Sequence, residues 1–394
     1  MQEYKVKDLL TIRNGRDHKQ LGEGKYPVYG SGGVMRYADS YLYDKPSILL
    51  PRKGTLDNIQ YCEEPFWCVD TTYYSEVNTS LTNPYYLYRY LSILNLKGLD
   101  SGTALPSMTF DSYYQIKVFL PSIETQNKIG EILYIIDQKI ALNTRINAEL
   151  EAMAKQLYNY WFVQFDFPDE NGKPYKSSGG KMVYNSTLKR EIPAGWEVKR
   201  IEECVYPLER GMSYTSESIA TKDGMPMINL ACFTKQGNYR IGELKFYSGD
   251  YDQSYIVSQG DMLFACTDMT RDADIIGSPI IVNQEHDEFI YSSDLAKITP
   301  LNIEGSYLYF IMKDKTFHNY IKKFASGSLV LHLNLDGVRK YPFVVPPHSL
   351  QDKIALIVNE IIQQRDLLIN ELINLSQLRD SLLPMLMNGQ VTVE

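Results

Sequence analysis

The stretch PSIETQNKIGEILYIIDQKI, residues 121–140, decides the fold, because a related stretch, PPHSLQDKIALIVNEIIQQR, occupies residues 346–365. When the chain is shifted by 225 positions, the two stretches align without a gap and the agreement extends beyond both ends. The identical pairs are Ser101/Ser326, Gly102/Gly327, Asp111/Asp336, Pro121/Pro346, Gln126/Gln351, Lys128/Lys353, Ile129/Ile354, Ile136/Ile361, Gln138/Gln363, Leu150/Leu375 and Leu157/Leu382. A constant offset held over this length indicates an internal duplication.

Apolar residues in both copies recur at alternating spacings of four and three, which is typical of a coiled-coil seam. The predicted apolar seam residues are Ile129, Leu133, Ile136, Ile140, Leu150, Leu157, Ile354, Val358, Ile361, Leu368, Leu372, Leu375 and Leu382. Asn143, Asn147, Arg365 and Arg379 interrupt this seam, and such polar residues can fix register and orientation. Each copy predicts a helix of roughly 40 residues, about 60 Å long.

The order of the segments predicts how the two helices pair. The first helix ends where a second globular region begins, and the second helix begins where that region ends. Antiparallel pairing would therefore place two related globular heads about one helix length apart, around a pseudo-twofold axis, in a dumbbell. Such a molecule suits a partner with twofold symmetry, and duplex DNA is the obvious one.

Composition places the chain among globular proteins. It has 394 residues, of which 44% are hydrophobic and 22% are charged. We find neither a long apolar run nor an apolar signal core near Met1, so we expect no membrane attachment and a cytoplasmic location. The five scattered cysteines are interpreted as buried thiols in a reducing compartment, and we expect no metal site.

The net charge of −8 opposes a simple DNA-binding interpretation, because phosphate contacts usually require a basic protein. Two explanations stay open at this point. Either the chain does not bind DNA, or it binds DNA as one part of a complex whose other subunits supply cationic surface.

The predicted organisation has five segments and an α+β fold class. A first head occupies residues 1–120, a central spacer helix 121–165, a connector 166–192, a second head 193–345 and a C-terminal spacer helix 346–394. In the first head we predict a buried strand over 47–55 that ends in a basic turn, a strand over 66–74 and a helix over 83–91. The aromatic residues of 161–168 are interpreted as a cap on the apolar end of the coil.

The second head repeats parts of the first head and changes others. Residues 196–199 (WEVK) match 4–7 (YKVK), and residues 307–309 (YLY) match 86–88 (YLY). The loop at 267–272 (TDMTRD), however, replaces the basic residues 51–55 (PRKGT). Related scaffolds with different loops are what two binding modules with different targets would have.

The sequence carries no recognisable catalytic motif. It has no GxxxxGK[ST] phosphate loop, no GxSxG elbow and no HExxH helix. Asn83-Pro84-Tyr85-Tyr86 resembles part of the Asn/Asp-Pro-Pro-Tyr/Phe loop of adenine methyltransferases, but the second proline and a glycine-rich cofactor loop are missing. We therefore predict a binding subunit and not an enzyme.

Taken in order, these segments resemble the specificity subunit of type I restriction-modification systems. The resemblance rests on the duplicated head-plus-helix order, on 120–129 with 345–354, and on the Ser-Gly turns at 101–103 and 326–328. Two further matches are WFVQFDFP at 161–168 and IPAGWEV at 192–198. The resemblance covers nearly the whole chain, although the arginines in the second seam depart from a regular coiled coil.

What the resemblance implies is a non-catalytic DNA specificity subunit. Each head would be a target-recognition domain that reads one half of a bipartite DNA sequence, and the paired helices would set the gap. The helices would also hold two modification subunits, which carry S-adenosylmethionine and methylate adenine, and restriction subunits would join them. No cofactor is expected on this chain itself, and the partner subunits would supply the missing positive charge.

Side chains that hydrogen-bond base edges or phosphates from loops are the candidates for DNA contact. The predicted DNA-binding residues are Arg13, Arg16, Ser31, Arg36, Arg52, Lys53 and Thr55 in the first head, and Arg210, Ser213, Thr215, Thr267 and Arg271 in the second. The Ser-Gly turns, with Gly102, Thr103, Gly327 and Ser328, are alternative contacts. Each basic residue could instead be an ordinary solvated surface charge.

Three other functions stay open. The chain could be a coiled-coil adaptor with two heads that bind peptides or carbohydrates, which would assemble without DNA. It could be a single-chain restriction-modification enzyme, although the cofactor motifs are missing. It could also be a solitary specificity protein that dimerises and represses without catalytic partners.

Overall fold

A computed structural model describes residues 1–54, 56–96, 107–220, 223–235, 237–240, 242–283, 285–391 and 393. The chain forms two compact units. The first unit comprises Met1–Ala141 with Leu375–Glu394, and the second comprises Leu142–Asn374. Each unit therefore contains one head together with a portion of both long helices.

The first unit contains nine strands and three short helices among its described residues, followed by the start of a long helix. The strands are β1 (Gln2–Lys5), β2 (Leu10–Asn14), β3 (Glu23–Gly30), β4 (Gly33–Ala38), β5 (Ser47–Pro51), β6 (Gln60–Cys62), β7 (Trp67–Cys68), β8 (Thr72–Val77) and β9 (Lys117–Leu120). The helices are α1 (Val6–Leu9), α2 (Pro84–Ser92), α3 (Phe110–Tyr114) and the long α4 (Ile123–Tyr158).

The strands of the first head form three small sheets, with the orders β2-β8-β5-β6, β4-β3-β7 and β1-β9. Only β3 and β7 run parallel among these described pairs. The single strand predicted over 66–74 is wrong in one respect, because the structure divides it into β7 and β8. A turn separates them, in which the Thr72 amide donates to the Val69 carbonyl at 3.0 Å.

The second unit contains more and shorter strands. They are β10 (Met182–Asn185), β11 (Arg190–Pro193), β12 (Glu197–Arg200), β13 (Glu209–Arg210), β14 (Ile219–Ala220), β15 (Met225–Ile228), β16 (Lys245–Tyr247), β17 (Ile256–Ser258), β18 (Met262–Ala265), β19 (Thr267–Asp268), β20 (Pro279–Ile281), β21 (Glu288–Tyr291), β22 (Leu295–Lys297), β23 (Ala325–Ser326), β24 (Leu331–Leu333) and β25 (Pro342–Val345). Its helices are α5 (Gly305–Lys313), α6 (Lys315–Ile321), α7 (Leu335–Arg339) and the long α8 (His348–Met387).

The sheets of the second head repeat those of the first. The order β13-β22-β18-β20 matches β2-β8-β5-β6, and β12-β25 matches β1-β9. The order β16-β15-β21 matches β4-β3-β7, including the one parallel pair. β14 and β17 extend this sheet at its two edges, and β19-β24-β23 forms a further sheet. The two heads therefore share one α+β topology, as the sequence predicted.

The long helices run antiparallel within each unit. In the first unit Arg379 Nη1 of α8 lies 3.2 Å from Asp137 Oδ1 of α4. In the second unit Asn143 Nδ2 donates to Glu371 at 2.7 Å, and Arg365 Nε donates to Asn147 at 2.8 Å. Residue numbers rise along α4 while they fall along α8, which confirms the predicted direction.

The seam residues lie at buried or partly buried positions of these helices. Ile129, Leu133, Ile136, Ile354 and Val358 are buried. The partly buried members are Ile140, Leu150, Leu157, Ile361, Leu368, Leu372, Leu375 and Leu382. Arg365 and Arg379 stay in the seam because carboxylates of α4 face them, Glu151 at 3.2 Å and Asp137 at 3.2 Å respectively. The two arginines that interrupt the apolar seam are thus paired with carboxylates of the facing helix.

A repeated glutamine fastens each head to its long helix. Gln126 accepts from the Asn83 amide at 3.1 Å, where α2 begins, and its own amide donates to the Pro121 carbonyl at 3.0 Å. Gln351 accepts from the Glu304 amide at 3.0 Å, where α5 begins, and donates to the Pro346 carbonyl at 2.8 Å. Both glutamines are fully buried, so the identity at this repeat position has a structural cause.

The aromatic residues after α4 belong to the core of the second unit. A π-helical turn at Asn159–Val163 follows α4. Phe162 packs edge-on against Tyr307 of α5, with ring centroids 4.7 Å apart, and Phe167 stacks on Trp196 at 5.0 Å. These rings therefore join the end of the helix to the second head, which is more than the predicted cap on a coil.

Candidate nucleic-acid interface

One tight turn organises the loops of the first head. We call residues 69–72 the first hub turn. Its Val69 amide donates to the Tyr29 carbonyl at 2.9 Å, and its Thr72 carbonyl accepts from the Gly15 amide at 3.2 Å. The Arg52 amide donates to the Thr71 carbonyl at 2.9 Å. Three loops, which follow β2, β3 and β5, are thereby fixed beside the same turn.

The second head builds the same frame from different residues. We call residues 292–295 the second hub turn. Its Ser292 amide donates to the Ile228 carbonyl at 3.0 Å, and its Leu295 carbonyl accepts from the Gly211 amide at 3.1 Å. The Cys266 amide donates to the Asp294 carbonyl at 2.7 Å. Each of these hydrogen bonds has its counterpart in the first head. In both heads the bonded residues lie at or just after the ends of equivalent strands.

Glycine is required at one position of both frames. A Cβ atom at Gly15 would lie 2.1 Å from the Val69 carbonyl oxygen, and one at Gly211 would lie 2.3 Å from the Ser292 carbonyl oxygen. No side chain can be accommodated at such distances. The sequence prediction missed these residues. The available signal was a glycine directly after the equivalent strand in each head.

Four predicted DNA-binding residues of the first head lie around its hub turn. Arg16, whose amide donates to the Cys68 carbonyl at 2.9 Å, and Lys53 are exposed. Ser31 and Arg52 are partly buried. The Arg52 Nη1 atom donates to the Asp70 carbonyl at 3.3 Å. These residues therefore come from three separate loops that meet at one turn.

Another predicted residue of the first head, Arg13, is placed differently. Arg13 lies within β2 and forms an ion pair with Glu76 of β8, at 3.1 Å between Nε and Oε1. Both side chains are largely exposed, so this pair contributes little to stability. Thr55 lies outside the described residues, as do Gly102 and Thr103.

Arg36 holds a loop in place. Its Nη2 atom donates to the carbonyls of His18 and Leu21, at 2.8 Å each. At the equivalent position of the second head, Lys245 donates from Nζ to the Tyr214 hydroxyl at 2.8 Å and lies 5.0 Å from the centre of that ring. The equivalence follows from strand register, since Arg36 is opposite Val28 and Lys245 is opposite Met227. The sequence prediction did not include Lys245.

The predicted residues of the second head divide into exposed and buried groups. Arg210, Ser213, Thr215 and Arg271 are exposed. Thr267 is only 3% exposed, and its hydroxyl donates to Asp294 Oδ1 at 2.9 Å. The Thr267 hydroxyl therefore supports the second hub turn instead of pointing to solvent.

Arg210 lies beside a buried thiol. Burial raises the pKa of Cys266 to about 12, and the neighbouring Arg210 guanidinium acts in the opposite direction. The thiol therefore stays protonated at neutral pH and is a poor nucleophile. This pair offers no sign of thiol chemistry in the second head.

A hairpin stands next to the second hub turn. Thr267 pairs with His332, and the Leu333 amide donates to the Cys266 carbonyl at 2.8 Å. In the first head Lys53 bridges Ser107, and the Met108 amide donates to the Arg52 carbonyl at 3.0 Å. The hairpin turn of the second head has Gly327 at a φ of +141°, followed by an exposed Ser328 and by Leu329, which is 88% exposed.

Several chemistries find no support in the described part of the chain. No group of three or more His, Cys, Asp or Glu side chains there could hold a metal ion. None of the helices described is both long enough and apolar enough to span a membrane. Asn83, in the methyltransferase-like segment, caps α2, because its side chain accepts from the Tyr86 amide at 2.9 Å. Asn83-Pro84-Tyr85-Tyr86 is therefore explained as the start of helix α2.

Comparison with known proteins gives consistent results. The family model "Type I restriction modification DNA specificity domain" matches residues 1–152 and 193–376. The type I restriction enzyme MjaIX specificity subunit of Methanocaldococcus jannaschii is 24% identical over 325 residues, covering 79% of this chain and 69% of that protein. The HindI specificity subunit of Haemophilus influenzae is 23% identical, covering 74% and 72% respectively.

A solved structure shares the fold. The crystal structure of the type I restriction-modification S subunit from M. genitalium superposes with a TM-score of 0.65 at 15% sequence identity. The match covers 98% of this chain and 95% of that one. At this identity the likeness concerns the fold, and the side chains around the two hub turns have to be considered on their own.

Proposed function

We propose a division of labour between the two heads of this chain, which belongs to the type I restriction-modification DNA specificity family. The family is one of non-catalytic DNA sequence-recognition subunits, and this is the role of the chain. In our proposal the first head reads one half of a bipartite DNA sequence and the second head reads the other half. The adaptor alternative is not favoured by the family membership.

One observation carries this proposal, namely that the same backbone frame occurs twice with different side chains around it. The frame is made of main-chain hydrogen bonds and a glycine, which fix loop positions without limiting the other side chains. The surrounding side chains of the first head include Arg16, Lys53 and the carboxylate of Asp70, whereas the second head combines arginine with the hydroxyl groups of Ser213 and Thr215. Two modules of one fold with different surfaces would recognise different half-sites.

The residues that we assign to DNA contact are exposed or partly exposed ones on the loops that follow the strands held by each hub turn. They are Arg16, Ser31, Arg52 and Lys53 in the first head, and Arg210, Ser213, Thr215 and Arg271 in the second. Arg36 is assigned to positioning because its guanidinium makes two hydrogen bonds of 2.8 Å within the head, whereas Arg52 makes a single one of 3.3 Å. Thr267 is assigned to positioning because it is buried and bonded to Asp294. For Arg13 and Thr55 the predicted DNA contact remains a prediction.

The long helices are proposed to set the gap between half-sites and to bind two modification subunits. Exposed apolar residues on these helices support a binding role, because larger exposed apolar patches on soluble proteins mark interaction sites. They include Ile135, Leu142 and Met153 on α4, and Leu356, Leu367 and Leu378 on α8. Leu142 and Met153 correspond to Leu367 and Leu378 in the 225-residue repeat, so two similar surfaces would accept two similar partners.

The remaining parts of the proposal concern partners and location. The modification subunits would carry S-adenosylmethionine, restriction subunits would join the assembly, and this chain would carry neither cofactor nor catalytic residues. A net charge of −8 favours a complex in which the partners help to neutralise DNA phosphates. We place the assembly in the cytoplasm, in agreement with five buried cysteines, all with free thiols. The five segments 1–120, 121–165, 166–192, 193–345 and 346–394 remain our proposed domain boundaries.

The test is to co-express the chain with a cognate modification subunit and to map adenine methylation across a genome. We expect a motif made of two short defined sequences with an undefined gap of constant length. A continuous motif would contradict the bipartite proposal. Assembly with the modification subunit but no sequence-dependent methylation or DNA binding would favour the adaptor instead.

A further inference from the structure

The first head contains an open hollow beside its hub turn. Loop 17–19, turn 30–32, Met35 and hub residues 69–71 line it. We propose that this hollow receives the C5-methyl group of a thymine in the major groove of the first half-site. The inference rests on the proposed function and names a specificity-determining residue, Met35, that the sequence analysis did not consider.

The apolar floor of the hollow is formed by Met35, which is 59% exposed although it lies on a strand. Its side chain rests on Gly30, where a Cβ atom would lie 2.7 Å from the Met35 sulfur and 3.8 Å from Val69 Cγ2. The missing side chain at Gly30 thus provides the seat for the thioether. A flexible, polarisable methionine adapts well to a small apolar group.

The rim of the hollow is fixed by side chains that donate to main-chain carbonyls. These bonds run from Arg36 to His18 and Leu21 at 2.8 Å each, from Trp67 Nε1 to Arg16 at 3.0 Å, from Asn58 Nδ2 to Ser31 at 2.7 Å and from Gln60 Nε2 to Gly30 at 2.9 Å. Loops held in this way lose little conformational freedom on binding. The hollow therefore has the preorganised rim expected of a recognition site.

The groups around the hollow match the major groove. Asp17 and Asp70 are exposed carboxylates at the rim, able to accept from the amino groups of adenine or cytosine, and Lys19 is an exposed cation. Among the base-edge groups of the major groove, the thymine methyl is the apolar one. An apolar floor inside a rim of acceptors and cations therefore fits a thymine next to an amino-bearing base.

The second head lacks an exposed apolar side chain like that of Met35 at the corresponding position. Arg36 and Lys245 occupy equivalent strand positions. Leu244 precedes Lys245 along the chain as Met35 precedes Arg36, so sequence order makes Leu244 the counterpart of Met35. Leu244 is partly buried and packs against a core cluster that includes Phe289 and Ile228. Methyl recognition by this hollow is therefore confined to the first half-site.

The test uses the complex of the full chain with its modification subunit and a duplex that contains the mapped recognition sequence. Each thymine of the first half is replaced in turn by deoxyuridine, which lacks only the methyl group. Burial of one methyl contributes about 0.8 kcal/mol, so one replacement is expected to weaken binding about fourfold. Met35→Ala should bind the thymine and deoxyuridine duplexes equally, whereas the neighbouring exposed Val34→Ala should keep the difference.

The outcomes separate this inference from the proposed function. If the complex binds its sequence but no deoxyuridine replacement in the first half weakens binding, the inference is overturned while the proposed function stands. The same conclusion follows if Met35→Ala keeps the full methyl preference. If the complex binds no duplex in a sequence-dependent manner, the proposed function itself fails.

Discussion

The two heads share a backbone frame but differ in how they use the side chains beside it. In the first head, the hub turn carries the exposed Asp70 and lies beside Arg52 and Lys53. In the second head, Thr267 and Asp294 bond to each other at the same place. Main-chain hydrogen bonds therefore preserve the fold of a recognition head, and the side chains beside them are free to change with the target.

The two heads also fix the loop after the required glycine in chemically different ways. Arg36 binds two main-chain carbonyls, whereas Lys245 binds a tyrosine hydroxyl and lies over its ring. A cation from the same strand position thus does the same task against different partners. Basic residues in such heads therefore divide into those that face DNA and those that position a loop.

The largest expected effect comes from the glycines of the frame. Gly15→Ala would bring a Cβ atom to 2.1 Å from a main-chain oxygen, and Gly211→Ala to 2.3 Å. We expect each to lower the free energy of unfolding by about 3 kcal/mol or more. Thermal unfolding measures this. Gly32→Ala is the matched control, with nothing within 4 Å of the new Cβ atom, and equal stability of all three variants would contradict the shared frame.

The second prediction concerns the charges that tie each head to its helices. Asp137 is bonded to Tyr85, Arg89 and Arg379, while Glu151 lies 3.2 Å from Arg365 and 4.0 Å from Lys313. Asp137 is partly buried, and its removal leaves Arg89 without its carboxylate partner, whereas Arg379 keeps Asp380. Asp137→Ala should therefore cost about 2 kcal/mol. Glu151→Ala should cost less, because one of its two cations lies 4.0 Å away. Urea unfolding of both variants measures the two losses of stability. A larger loss for Glu151→Ala than for Asp137→Ala would contradict this prediction.

Arg52→Ala should act on one half-site only. If Arg52 contacts a base edge, its loss should cost about 1–3 kcal/mol of binding and relax or abolish recognition of the first half alone. Mapping of adenine methylation with the variant measures this effect. Arg271→Ala is the matching test in the second head and should relax the second half. An unchanged motif for Arg52→Ala would exclude it from base contact.

The loop-holding cations should give a smaller effect with a different signature. Arg36→Met leaves the His18 and Leu21 carbonyls without their donor and should cost about 1 kcal/mol in stability. First-half recognition should weaken with it, and Arg36→Lys should restore much of both, since lysine does this task in the second head. Lys245→Met should weaken only the second half. Loss of both halves in either variant would show a general folding defect instead.

The smallest expected effect is a pH dependence that belongs to the second head. Burial lowers the pKa of Lys313 to about 8 from its ordinary 10.5. The folded state therefore disfavours the charged form, and this cost is fully present below pH 8 and fades as the pH rises towards 10.5. Relative to Lys313→Met, the wild-type chain should gain about 1 kcal/mol of stability between pH 8 and 9. If the stability of the two proteins changed with pH in the same way, the lowered pKa of Lys313 would be contradicted.

Much of the fold could be predicted from the sequence. The 225-residue repeat and the seam spacing led to two α+β heads with antiparallel helices, because periodicity reports directly on helix faces. The division of residues 66–74 into two strands escaped prediction, since it depends on a hydrogen bond that the Val69 amide donates to the carbonyl of Tyr29, which is distant in sequence. For the same reason the repeat revealed Gln126 and Gln351 as equivalent without revealing what they bind.

The candidate site was less accessible to sequence analysis. Residue type nominated Arg16, Arg52 and Arg36 alike. Only the structure shows that Arg36 holds two loop carbonyls at 2.8 Å each, whereas Arg16 is exposed and Arg52 makes one hydrogen bond of 3.3 Å. Thr267 was nominated as a loop hydroxyl and is buried against Asp294. Such distinctions depend on long-range packing, which one sequence does not contain.

A head exchange would show directly whether each head reads one half-site. Residues 1–120 would be replaced by the corresponding head of a related specificity subunit, and adenine methylation would be mapped in cells that also express the modification subunit. We expect a motif whose first half changes while its second half and its gap stay the same. A motif in which both halves change, or in which neither changes, would contradict the assignment of one half-site to each head.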